Sequence, residues 1–258
     1  MTKMSTAIGS PAPTLEQRLA PRQRPADRLV MYHSWRDLLF LHWRFDPDVI
    51  QATLPRGLHV DTFDGEAWVG IVPFFMRHIR PRWFPCVPGI SNFQEINLRT
   101  YAFDVRGTPG VWFYSLDANC LPGVVWGRRL FQLPYHWARM RYSRDSSTGR
   151  VDYTSHRRGS DPALTSRFEY EPRGTVGTAE PGTLEFFLAE RYILFSARNG
   201  RLYSGQVHHV PYPLQDTNVT RGDDHLIRLR GLPAPARPPD HAVMSRGVDV
   251  DIYPLKPL

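Results

Sequence analysis

The segment Phe93-Gln94-Glu95-Ile96-Asn97-Leu98-Arg99 carries the densest set of groups able to do chemistry. Alternate residues of a strand share a face, so Phe93, Glu95, Asn97 and Arg99 fall on one side of it. Such a wall can move a proton at Glu95 and hold a carboxylate bidentately at Arg99. The same pattern also suits an exposed face with a cross-strand ion pair, which contributes little. The second candidate is Tyr135-His136, directly after Pro134. The proline biases Leu133 toward an extended backbone. Tyr135 is a hydrogen-bond donor or general acid, and His136 titrates near neutrality. If the two alternate, only one reaches a given cavity. Arg128, after Gly127, suits either a substrate anion or an ion pair with Glu95. Asp117 suits a substrate contact, a turn, or a partner for Arg128.

Other reactive patterns carry less. His208-His209 invites a metal, but strand neighbours point to opposite faces and no H-x-x-x-H or H-E-x-x-H spacing occurs. No Walker A motif, Rossmann glycine fingerprint or G-x-S-x-G elbow is present. The sequence therefore predicts neither a metal nor a cofactor. Net charge is +7, yet the arginines are scattered among Asp and Glu, with no basic helix or RNA-binding aromatic signature, so nucleic acid is not an expected partner. Only two lysines occur, Lys3 and Lys256. Cys86 and Cys120 are the only cysteines and form no C-x-x-C, as in a reducing compartment, and a cytoplasmic location is expected. No apolar run approaches the roughly 20 residues that span a bilayer.

Residues 1–28 are rich in Pro, Ala, Arg and Gln and read as a disordered leader; residues 29–258 read as one domain. Within it, Asp46 is placed to cap a short helix begun by Pro47. Asp64-Gly65 and Asn199-Gly200 mark tight turns between strands. Leu121–Phe131 and Leu184–Glu190 read as short helices. Most remaining apolar runs read as strands. The predicted class is α+β and β-dominated: a barrel or sandwich of antiparallel strands with a few packed helices enclosing a cavity.

Leu41-His42-Trp43-Arg44-Phe45-Asp46-Pro47 through Leu54-Pro55-Arg56-Gly57-Leu58 resembles the opening of the acetoacetate decarboxylase-like superfamily. Asn92-Phe93-Gln94-Glu95-Ile96-Asn97 resembles the strand bearing that family's pocket glutamate, which would be Glu95. Gly127-Arg128-Arg129-Leu130-Phe131-Gln132-Leu133-Pro134-Tyr135-His136 resembles its G-R-E-ϕ-ϕ-G-ϕ-P-K-K segment, whose first lysine forms a Schiff base with the keto acid. More closely the chain resembles the uncharacterised bacterial YqjF-like branch, through Trp68-Val69-Gly70, Asn97-Leu98-Arg99-Thr100-Tyr101, Leu133-Pro134-Tyr135 and Glu190-Arg191-Tyr192, among others.

The resemblance implies the fold but not the reaction. Tyr135 and His136 stand where the two lysines would be, and arginine cannot supply a deprotonated amine. Borohydride trapping with a labelled keto acid is expected to leave no internal adduct; an adduct would overturn the non-imine mechanism. The leading expectation is an enzyme acting next to a carbonyl, a lyase, dehydratase or isomerase of secondary metabolism. Its substrate would be a small carbonyl or carboxylate compound. Tyr135, His136 and Glu95 would share the acid-base work, and Arg99, Arg128 and Asp117 would hold the substrate. The rival readings are a non-catalytic binding protein and a structural subunit of a homo-oligomer.

Overall fold

The computed structural model describes residues 12–258. Thirteen strands join one sheet: β1 (Met31–Phe45), β2 (Leu58–Val60), β3 (Ala67–Pro81), β4 (Phe93–Asp104), β5 (Pro109–Ala118), β6 (Tyr135–Arg144), β7 (Val151–Arg157), β8 (Ser166–Gly177), β9 (Ile193–Arg198), β10 (Arg201–His208), β11 (Leu214–Gly222), β12 (His241–Ile252) and β13 (Lys256–Pro257). Five short α-helices accompany them: α1 (Leu15–Leu19), α2 (Pro47–Gln51), α3 (Leu121–Leu130), α4 (Leu184–Ala189) and α5 (His225–Leu229). The β-dominated α+β class expected from the sequence is the one observed.

The sheet closes on itself twice. One circuit runs β5-β6-β7-β8-β11-β12-β1-β3-β4 and returns to β5; the other runs β5-β9-β10-β12-β1-β3-β4 and returns to β5. The split occurs within two strands. Val111 and Trp112 of β5 pair with β9, while its Leu116–Ala118 end pairs with β6. Likewise Val243–Ser245 of β12 pair with β11, and Asp251 and Ile252 with β10. All pairs are antiparallel except β5–β6 and β5–β9. The β5–β6 pair is parallel because α3 crosses between them, as parallel neighbours require.

Two of the strands shared by both circuits, β1 and β3, are buried on both faces along much of their length, so there they read as continuous apolar runs. Leu38–Trp43 of β1 and Ala67–Phe74 of β3 are buried without interruption. One face packs Leu38, Phe40, Val72, Phe74 and Phe93 against Val207, Tyr212 and Val250. The other packs Leu39, Leu41, Ile71, Ile96 and Leu98 against Tyr153, Phe168 and Tyr170. Strands β7 and β8 bury one face only and alternate accordingly. Pro73 lies mid-strand without breaking the sheet. The β1–β3 ladder is interrupted between Arg36 and Leu41, so the missing N–H falls opposite a bulge. Asp37, with φ of 50°, makes that bulge and receives the hydroxyl of Tyr142.

The expected turns form. Asp64 and Gly65 both take positive φ (52° and 81°), as do Asn199 and Gly200 (51° and 75°). Asp46 caps α2 through the Asp48 N–H at 2.8 Å, with Pro47 in its first turn.

One expectation is corrected. Residues 12–28 are not a disordered leader. Thr14 and Gln17 form a capping box on α1, Gln206 donates to the carbonyls of Pro21 and Gln23, and Arg18 grips Asp61 with both terminal nitrogens at 2.7 Å. Composition alone cannot reveal that a buried carboxylate awaits this arginine. Residues 1–11, the rest of that leader and the site of Lys3, lie outside the described residues. Among the described residues no helix is long and apolar enough to cross a membrane.

Candidate active site

Glu95 projects from β4 onto the face that carries Phe40, Phe74 and Phe93. It is 3% exposed. Its Oε2 accepts a hydrogen bond from the Tyr135 hydroxyl at 2.8 Å. Burial pushes the Glu95 carboxyl up to about 8; the Tyr135 bond opposes this and the negative charge of Asp117 adds to it. Near pH 7 Glu95 is therefore mostly a neutral acid, and a base of unusual strength once ionised. Burial, then the charge of Glu95, raises the Tyr135 phenol well above its ordinary value. Tyr135 stays protonated and donates its hydroxyl to Glu95.

Local structure fixes both groups. From the far face of the sheet, the Tyr153 hydroxyl donates to the Glu95 carbonyl at 2.8 Å. The Tyr135 carbonyl accepts from Arg128 Nε at 2.7 Å, and the preceding Pro134 carbonyl from the Leu116 N–H at 3.0 Å. The Tyr135 ring lies flat against α3 at Gly127. A Cβ there would sit 2.4 Å from two ring carbons. Glycine inside a helix costs about 1 kcal/mol relative to alanine, and this contact explains its presence. Gly127→Ala is expected to destabilise the fold by about 1–3 kcal/mol through overpacking and to lower activity by moving Tyr135 off Glu95. Thermal unfolding and turnover of this variant check both.

Tyr135 lines a cavity of about 250 Å³ bounded by β1, β3, β4, α3 and the 82–92 loop. Met31, Met76, Ile79 and Phe93 form its floor, and Trp126 of α3 and Phe131 just after that helix also line it. His33 also lines it, with both ring nitrogens buried and unpartnered among the described residues. Burial lowers its imidazole to about 4, so it is neutral at ordinary pH. A larger, more open groove of about 950 Å³ runs along β6–β8, lined by Arg139, Tyr142, Tyr153 and Glu169 among others, and Tyr135 is not part of it.

The structure brings Glu95, Tyr135 and the Arg128 clamp together, and it separates the other expected site residues from them. His136 does not share Tyr135's side of the strand. It is half-buried and lowered to about 4, mainly by burial and then by Arg157 and Arg128. Asp117 pairs with Arg157 through three contacts of 2.8–3.2 Å. Its strand position opposite Ile96 places it on the other core face. Arg99 lies two alternations beyond Glu95. Its Nη2 donates to the Leu188 carbonyl at 3.0 Å, and its guanidinium sits over the rings of Phe40 and Tyr101. Arg128 acts on the Tyr135 backbone and not on Glu95. His209 is buried between the rings of Tyr192 and Tyr212, each centred 4.6 Å away.

His33 and Gly127's contact were not foreseen. The alternation Met31, His33, Trp35 carries the signal for His33, since all three sit on the cavity side of β1. Reading the strand from Leu38 hides it. Lys256, the other lysine, pairs with Asp27 at 2.6 Å on the surface.

This doubly closed sheet with a glutamate-bearing inner strand is an acetoacetate decarboxylase-like fold. It superposes on the enduracididine biosynthesis enzyme MppR complexed with pyruvate with a TM-score of 0.61 and 15% identity, over 91% of this chain and 93% of that one. It matches acetoacetate decarboxylase of Legionella pneumophila with a TM-score of 0.61 and 12% identity, over 92% and 91% of the two chains. It also matches an acetoacetate decarboxylase-like enzyme of Sphingomonas wittichii RW1 with a TM-score of 0.59 and 16% identity, over 90% and 94%. Within that class, the chain belongs to DUF2071, a family of uncharacterized conserved proteins whose model matches residues 32–249. It is 34% identical over 227 residues to the uncharacterized protein YqjF of Bacillus subtilis (strain 168), covering 88% of this chain and 92% of that protein.

Proposed function

We propose that this protein is a small-molecule enzyme that moves a proton next to a carbonyl without an imine. The observation that carries the reading is the 2.8 Å hydrogen bond from Tyr135, which lines an apolar cavity, to Glu95, which lies behind it outside the lining. In this scheme the Tyr135 hydroxyl turns to the substrate carbonyl oxygen and so opens the way from the cavity to the carboxyl of Glu95 behind it. The ionised Glu95 takes the α-proton. The C–H electron pair becomes the C=C bond of an enolate, whose oxygen Tyr135 stabilises. Return of the proton to carbon gives exchange or isomerisation; departure of a β-substituent gives elimination. The raised affinity of Glu95 for protons brings it closer to the weak acidity of such a C–H bond. No described residue offers an amine at this site, so decarboxylation through a Schiff base is not part of the scheme.

The test is α-proton exchange of a small apolar ketone in D2O, followed by NMR. Exchange above the buffer rate supports the enzyme reading. A ketone that binds but keeps all its α-protons through a long incubation supports the non-catalytic binding protein instead.

A further inference from the structure

The cavity wall beside Tyr135 holds no Arg, Lys, Asp or Glu among the described residues. Its polar side chains are few. Ser91 is already engaged, its hydroxyl accepting from the Val87 N–H at 2.8 Å. Tyr135 donates to Glu95. His33 alone presents two buried ring nitrogens with no partner. The arginines that a substrate anion would need are committed elsewhere. Arg99 donates to the Leu188 carbonyl, and Arg128 Nε to the Tyr135 carbonyl.

A carboxylate entering this space would lose its hydration without gaining a cation, and burying an uncompensated charge costs several kcal/mol. A neutral carbonyl or hydroxyl group pays no such penalty and satisfies the waiting imidazole. We infer that the cavity takes an uncharged carbonyl compound with an apolar body, that it rejects the matching carboxylic acid anion, and that His33 is the residue that hydrogen-bonds this ligand alongside Tyr135. This deepens the reading given above and rests on it for the identity of the site, but it concerns binding, which is separable from turnover.

The experiment compares two probes of nearly equal shape, benzylacetone and 3-phenylpropionate, at pH 7. Quenching of the Trp83 and Trp126 fluorescence at the cavity wall reports binding, and calorimetry checks it. Benzylacetone is expected to bind the full-length protein at least ~10-fold more tightly than the acid. His33→Leu is expected to weaken benzylacetone roughly three- to tenfold, the loss of about one hydrogen bond. His33→Gln, which restores a donor and an acceptor, is expected to recover part of it. Equal affinities, tighter binding of the acid, or no binding of either probe would overturn the inference, as would an unchanged affinity in a folded His33→Leu protein. Preferential ketone binding without α-proton exchange would defeat only the catalytic reading; exchange combined with a preference for the acid would defeat only this one.

Discussion

Glu95→Gln is expected to lower α-proton exchange by about 10²-fold or more, because the amide cannot accept the proton. Tyr135→Phe is expected to do the same by removing the donor to the enolate oxygen. The two losses should not add, since both groups act on one transition state. Glu95→Gln carries a second signature that Tyr135→Phe lacks. The folded-state carboxyl is raised from 4.5 to about 8. The native state therefore binds the proton more tightly than the unfolded chain does. Stability is full below pH 4.5, falls as pH rises toward 8, and is level above it, with a slope of at most about 1.4 kcal/mol per pH unit. Glutamine does not titrate. The variant should melt near the native protein at pH 4.5 and distinctly above it at pH 8. Lost activity with gained stability is the mark of a group buried for chemistry. Melting curves at the two pH values check it; a variant less stable at pH 8 would refute the buried-acid assignment.

Asp61→Ala is expected to destabilise the fold by about 3–5 kcal/mol. Asp61 is fully buried beneath Arg191, 3% exposed at its side chain, at 2.8 Å, and Arg18 at 2.7 Å. Burial pushes the Asp61 carboxyl up, but Arg191 and Arg18 more than offset it and hold the group below its ordinary value. The ion pairs therefore contribute stability above about pH 4, and this is lost as the pH falls through the lowered folded-state value. Removing the carboxylate strands Arg191 inside the protein with Arg18 beside it. Thermal unfolding at neutral pH checks the loss. Arg18→Ala should cost less, because Arg191 still answers Asp61. An Asp61→Ala protein as stable as the native one would show that α1 and its ion pair are ornamental to the fold.

The sequence exposed the architecture where local chemistry and tertiary demand agree. The doubly buried stretches Leu38–Leu41 of β1 and Ala67–Phe74 of β3 are apolar on both faces, and Asp64-Gly65 and Asn199-Gly200 can take the positive φ their turns need. It concealed β11, whose run Gln215–Arg221 is polar apart from Val219 and alternates between half-buried and exposed, with Thr217 and Asn218 donating to Glu171 of β8. It concealed α5, where only Leu226 and Ile227 are buried. At the site, the one-face pattern of β4 located Glu95 but could not say how far along the face a single cavity extends. Glu95 and Arg99 share that face, yet Arg99 answers a carbonyl of α4. Alternation did foretell that Tyr135 and His136 part company, without saying which would meet Glu95. The fate of Asp117 was set by Arg157, forty residues away on β7, and no local pattern joins them.

The most direct measurement is the pH dependence of α-proton exchange by the native protein, using benzylacetone in D2O between pH 6 and 10. If ionised Glu95 is the base, the rate rises with pH and levels off with a midpoint near 8, and Glu95→Gln shows neither the rate nor the midpoint. A rate that is flat or falls across this range, or a rise that survives unchanged in Glu95→Gln, would contradict the account.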